Sequence, residues 1–243
     1  WTSERTGFRH IYHVSAEGET RALTSGEWVV EYFAGLSEDG ETVYFEGWMT
    51  SPLERHLYAV PFDGGEPVQI TEGEGRWNVS LGQGGTGFIG SYSDPDTLPQ
   101  TALYDISGER VAWIEENAIG EDHPYAPFLD SHLVPEFGTV LADDGETELY
   151  WSMLKPEHCT AAAPCPAIVQ VYGGPHVQTV AKGWVGAGDQ LFADQGYILF
   201  KLDNRGSWNR GHAFEAALHD RMGGVEVRDQ LTGLDYLESL DFV

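Results

Sequence analysis

The hydrophobic rhythm of the chain changes near Asn117. Before that point, apolar and polar residues alternate in short runs, the period of strands with one buried face. Ile11-Tyr12, Leu57-Tyr58 and Leu103-Tyr104 recur 46 residues apart. The flanks of the first two copies agree, Arg9-His10-Ile11-Tyr12-His13-Val14 being echoed by Arg55-His56-Leu57-Tyr58-Ala59-Val60. Each runs into a turn, Ala16-Glu17-Gly18-Glu19 or Asp63-Gly64-Gly65-Glu66, then into a second strand ending at Thr24 or Thr71, with Trp28 or Trp77 behind it. The third copy is looser: Ala102 to Ile106, a turn at Ser107-Gly108, then Val111 to Ile114. Alternating segments such as Thr42 to Glu46 lie between the hairpins. Four short antiparallel strands per repeat of this length predict β-propeller blades, with a β-sandwich as the competing arrangement.

After a stretch containing Asp122-His123-Pro124 and Pro127, the pattern is different. Phe137 to Leu141 alternates, turns at Asp143-Asp144-Gly145, and returns as Glu148 to Leu154, a predicted hairpin. Then strand and helix alternate. The β-branched run Ala167 to Val171 predicts a buried strand, Gly188 to Asp194 a helix with Leu191 and Phe192 apolar, and Tyr197 to Leu202 a second strand. A final amphipathic helix carries Val225, Leu231, Leu234 and Leu237 at helical spacing. This order predicts a parallel sheet with helices on its faces. The expected organisation is therefore residues 1–120 as propeller blades and 121–243 as an α/β domain.

The first strand of that domain leads straight into Tyr172-Gly173-Gly174-Pro175. Two glycines and a proline force an abrupt turn, leaving a phenol at the carboxyl end of a strand, where open α/β sheets place their ligands. A phenol there can donate a hydrogen bond to a developing oxyanion. No Gly-x-Ser-x-Gly elbow is present, so the expectation is a catalytic scaffold cut off before its nucleophile.

Composition narrows the partners. The 243 residues are 41% hydrophobic, enough for a sizeable core. Acidic residues number 39 against 13 basic ones, a formal charge of −26. Such a surface repels nucleic acid and anionic lipid, and both are set aside as partners. No run approaches the length of a membrane span. Cys159 and Cys165 sit six residues apart in a short loop. They read either as a disulfide, which places the protein in the periplasm or outside the cell, or as free thiols. His158 beside them makes a poor metal set. No nucleotide-binding motif occurs, and no cofactor or metal is expected.

Three stretches carry a family resemblance: Val171-Tyr172-Gly173-Gly174-Pro175, Asp203-Asn204-Arg205-Gly206-Ser207, and Arg221-Met222-Gly223-Gly224-Val225-Glu226-Val227-Arg228-Asp229-Gln230. With these, and with Trp1 to Tyr12 placed as a late propeller segment, the chain resembles the dipeptidyl peptidase IV branch of the prolyl oligopeptidase family. The resemblance implies late propeller blades followed by the first half of an α/β-hydrolase domain. It implies a serine exopeptidase that removes dipeptides from peptide amino termini, after proline or alanine, through an acyl-enzyme. A homodimer of the full protein is compatible with it. The Ser-Asp-His triad would lie beyond this chain, and the segment alone would be inactive.

One catalytic position matches, Tyr172, as a donor of the oxyanion hole. The family's glutamate clamp for the substrate amino terminus would lie upstream; Glu115-Glu116 reads as a solvated strand end. Ser207 reads as a turn serine, Asp203 and Arg205 as braces of their loop, Glu226 and Asp229 as helix-start acids favoured by the dipole, and His176 as a solvated loop histidine near the site. Two rivals share the pattern: an acylaminoacyl-peptidase or oligopeptidase of the same family, and a non-catalytic propeller binding protein.

Overall fold

A computed structural model describes all 243 residues. The chain divides into two compact units. The first holds residues 1–118 with the short segments 182–184 and 209–213; the second holds 119–181, 185–208 and 214–243.

The first unit is all β. Strands β1 (Thr2–Ser3), β2 (His10–Val14) and β3 (Thr20–Ala22) form one antiparallel sheet. Next come β4 (Val30–Leu36), β5 (Thr42–Ser51), β6 (Glu54–Pro61) and β7 (Val68–Gln69), a four-stranded antiparallel meander. A second meander follows: β8 (Arg76–Leu81), β9 (Gly87–Ser93), β10 (Gln100–Asp105) and β11 (Arg110–Glu115). The two meanders touch edge to edge through one parallel pairing, Arg55 with Arg76. The repeated apolar dipeptides fall on β2, β6 and β10, as their spacing predicts. Aromatic rings fill the interior: Trp28, Phe45 and Tyr58 stack in one group, and in the next Phe88 stacks on Tyr104 while Trp77 meets Tyr104 edge-on.

The strands after β2 and β6 are shorter than the pattern predicts, ending at Ala22 and Gln69. Thr24 and Thr71 lie beyond them for a specific reason. Each Oγ1 sits 3.1 Å from Nδ1 of a buried histidine, His10 or His56, and accepts the following residue's N–H at 3.0 Å. The hydroxyl replaces the ladder partner that a longer strand would have supplied. The third copy has Ala102 in the histidine's place and no such latch.

The second unit is built on a four-stranded sheet. Strands β12 (Glu136–Leu141) and β13 (Glu148–Leu154) make the expected hairpin. Strand β14 (Ala167–Gln170), helix α1 (Ala187–Asp194) and strand β15 (Ile198–Leu202) make a parallel crossover, and the sheet order is β12-β13-β15-β14. Short helix α2 (His212–Glu215) and long helix α3 (Val225–Glu238) complete it. The core gathers Leu149, Trp151, Ile198, Phe200 and Leu237. No helix is long and apolar enough to cross a membrane.

Three expectations need correction here. The run Ala167 to Val171 is half-buried rather than buried, and Val171 is exposed, because β14 is an edge strand whose pairing ends at Gln170. Leu191 and Phe192 of α1 face outward, and Ala193 is the residue α1 buries. The face α3 buries is Glu226, Asp229, Gly233 and Leu237; of the predicted apolar stripe only Leu237 is fully buried, Val225 and Leu234 being half-buried. Gly233 lies so close to the sheet that a Cβ would stand 2.8 Å from Leu202 Cδ1, while Leu231 is left exposed.

Candidate functional site

The site grows from the exit of β14. The last paired residue is Gln170, opposite Lys201 of β15. The chain then leaves the sheet as Val171-Tyr172. Gly173 takes a φ of +72°, a left-handed conformation open to glycine without strain. Gly174 lets the Tyr172 ring fold over its backbone; a Cβ there would stand 2.9 Å from the ring's Cε1. Tyr172 is 55% exposed and its hydroxyl makes no hydrogen bond within the chain.

The turn closes at His176, which holds a left-handed φ of +60° while its N–H donates to the Gly206 carbonyl at 3.1 Å. The His176 ring rests 5.6 Å from that of Trp208, and Nδ1 lies 3.5 Å from the buried Glu215 carboxylate. The histidine expected to be merely solvated thus has a carboxylate neighbour.

The loop after β15 is heavily braced. Asp203 accepts from Thr179 N–H at 2.8 Å, Thr179 Oγ1 at 2.7 Å and Val180 N–H at 3.0 Å. The Arg205 guanidinium reaches Asp229 and Asp144 at 2.6 and 2.9 Å, and also Asp143. The hydrogen bond to Asp229 is the main cause that holds the Arg205 pKa above its ordinary range. Asp143 is held below the usual carboxylate range by its bonds from Arg205 and Arg228. Asp144 falls to about 2, chiefly through bonds from Thr147 and the Glu146 N–H. Ser207 donates its hydroxyl to the Asn204 carbonyl at 2.7 Å, a turn serine as expected. Glu226 lies in the first turn of α3, where the dipole favours an acid, and accepts from the Gly223 and Gly224 N–H groups that lead into the helix. Asp229 does not play that role: it is fully buried as the partner of Arg205.

Beside Tyr172 runs a shallow groove of about 530 Å³, lined by Val169, Val171, Met222, Val227 and Leu231 among others. Its lining includes no serine, threonine or cysteine. The arrangement can present apolar surface and donate one phenolic hydrogen bond, and it holds no activated nucleophile. Cys159 and Cys165 are joined in a disulfide, so their sulfurs cannot act with nearby His158 as thiolate ligands to a metal. Glu115 and Glu116 are exposed at the end of β11.

The motifs did not reveal the ties from Thr179 to Asp203, nor Lys182, whose ammonium stands 2.7 Å from both Glu54 and Glu74. The histidine–threonine latches were visible in outline as the echoed His10 and His56.

Comparison with known proteins adds the context. Residues 1–99 match the family described as the dipeptidyl peptidase IV N-terminal region, and residues 185–243 match the prolyl oligopeptidase family. Human dipeptidyl peptidase 8 is 32% identical over an alignment covering 98% of this chain and 30% of that protein. The structure of Porphyromonas gingivalis dipeptidyl peptidase 4 aligns with 100% of this chain and 34% of its own, with a TM-score of 0.88 at 24% identity. A Bacteroides ovatus structure named as a dipeptidyl aminopeptidase IV gives 0.83 at 32% identity, with 37% of it covered. The chain spans about a third of the length of these relatives.

Proposed function

Because this chain belongs to the dipeptidyl peptidase IV branch of the prolyl oligopeptidase family, we propose that it is part of a serine exopeptidase releasing dipeptides from peptide amino termini. The observation that carries the reading is Tyr172: an exposed phenol with a free hydroxyl, at the carboxyl end of a parallel strand, on a glycine-shaped turn.

In this reading the two meanders and the β1–β3 sheet are propeller blades, within residues 1–120. Residues 121–243 are the first half of an α/β-hydrolase domain, and the unpaired edge of β14 is where its sheet continues. A serine supplied by the rest of the protein attacks the scissile carbonyl, a histidine takes its proton, and the tetrahedral intermediate places negative charge on the former carbonyl oxygen. Tyr172 donates a hydrogen bond to that oxygen. A donor held in place before the reaction needs no reorganisation, and removing one typically lowers kcat by about 10²–10³. The partners are peptides, a homodimer of the full protein is compatible with this reading, and the disulfide fits a periplasmic or secreted setting.

The test uses the full-length protein and chromogenic Xaa-Pro and Xaa-Ala amides. Release should require a free amino terminus; turnover of only the amino-acylated substrate would instead support the acylaminoacyl-peptidase reading. Tyr172→Phe should lower kcat by about two orders of magnitude with KM little changed. An unchanged kcat would remove Tyr172 from the oxyanion hole.

A further inference from the structure

The turn that carries Tyr172 is held at one foot by β15 and at the other by the residue that follows that strand. On its upstream side, Gln170 pairs with Lys201 of β15. On its downstream side, Thr179 and Val180 give three hydrogen bonds to the carboxylate of Asp203, two residues beyond Lys201. Asp203 is only 7% exposed, and its own N–H donates to the Tyr150 carbonyl of β13 at 2.9 Å. The arch from 170 to 180 is thereby referenced to the sheet at two points, with the His176 bond to Gly206 between them.

A buried carboxylate needs such donors, since an unpaired buried charge is strongly disfavoured. The arch needs the carboxylate too. Oδ1 accepts from Thr179 N–H and Oγ1 while Oδ2 accepts from Val180 N–H, so both oxygens must be acceptors. An amide would turn one of them into a donor facing another donor.

We propose that Asp203 is a positioning residue for Tyr172: it pins the downstream foot of the arch so that the phenol stays at the carboxyl end of the sheet. This rests on the reading of Tyr172 as an oxyanion donor. Asp203 touches neither substrate nor reacting atoms. It acts by limiting where the phenol can be, and small displacements of a catalytic group are costly, about 10²-fold for 1 Å.

A double-mutant cycle in the full-length enzyme tests it, with Tyr172→Phe, Asp203→Asn and the pair together. Asp203→Asn alone should lower kcat by about tenfold or more, with KM within about twofold, because the donor acts mainly in the transition state. In the Tyr172→Phe background the same change should have little further effect, since there is no hydroxyl left to misplace. Equal losses in both backgrounds, or no loss from Asp203→Asn, would overturn the positioning role while leaving Tyr172 as the donor. A Tyr172→Phe enzyme with full kcat would overturn the donor reading itself, and the positioning role with it. Should Asp203→Asn fail to fold, Thr179→Val removes one of the three bonds and keeps the carboxylate; the same cycle then applies, additivity again overturning the proposal.

Discussion

Arg205 and Asp229 are locked together by three groups of the same arginine. The backbone N–H donates to the Asp229 carboxylate at 2.8 Å, Nε at 3.0 Å and Nη2 at 2.6 Å. Asp229 is fully buried on α3, so the pair fastens the loop after β15 to that helix.

Arg205→Met should therefore destabilise the protein by about 3–5 kcal/mol, the usual effect of stranding a buried charge. Urea unfolding measures it. A loss below about 1 kcal/mol, the value of an exposed pair, would contradict the assignment.

Gly174→Ala probes the approach of the Tyr172 ring. The added methyl would stand 2.9 Å from Cε1 and 3.3 Å from Cζ, so the exposed ring must swing away. Stability should change by less than about 1 kcal/mol, as for most surface substitutions. In the full-length enzyme kcat should fall at least about tenfold, the effect of a displaced catalytic group. Unchanged kinetics would mean that the ring's resting position is immaterial to catalysis.

Glu46 gives stability an alkaline-side penalty. Burial is the main reason its pKa rises to about 7, opposed by Arg55, whose Nε lies 3.4 Å from a carboxylate oxygen that makes no hydrogen bond. The folded state then binds the proton more tightly than the unfolded one. Stability falls as pH rises from the ordinary carboxylate range to about 7, by on the order of 3 kcal/mol. Glu46→Gln should flatten this slope in unfolding experiments between pH 5 and 8. Parallel slopes for the two proteins would refute it.

His10 and His56 act in the opposite direction. Burial lowers both pKa values below 6.5. Each ring is held neutral with Nδ1 near a threonine hydroxyl. The unfolded chain takes up protons first, so this part of the stability is complete above pH 6.5 and is lost as pH falls. Ring-proton NMR should show both midpoints below 6.5, and a midpoint above it for either ring would be inconsistent with the latch.

The disulfide closes a short loop between Cys159 and Cys165. Chain entropy for a loop of that size gives about 2 kcal/mol. Reduction should lower stability by that order, and alkylation with and without reductant should differ in mass by two thiols. Free thiols in protein recovered from its native compartment would point away from an oxidising one.

Much of this architecture was legible in the alternation itself. The repeated Ile11, Leu57 and Leu103 mark equivalent strands, and the hairpin of β12 and β13 was predicted to within a residue. What escaped was burial set by partners distant in sequence. Asp229 is inside because Arg205, 24 residues away, satisfies it, and Gly233 is inside because its missing side chain lets Leu202 approach. A count of apolar residues at helical spacing registers neither. Tyr172 was visible from its glycine-rich exit, whereas its anchor at Asp203 is a link between loops that share no local motif.

The two histidine–threonine latches span 14 and 15 residues, each within its own repeat. A repeat so equipped carries within itself a fastening for its outer hairpin. Copying or exchanging such a unit would carry the fastening along with it, which suits a protein assembled by duplication of one module.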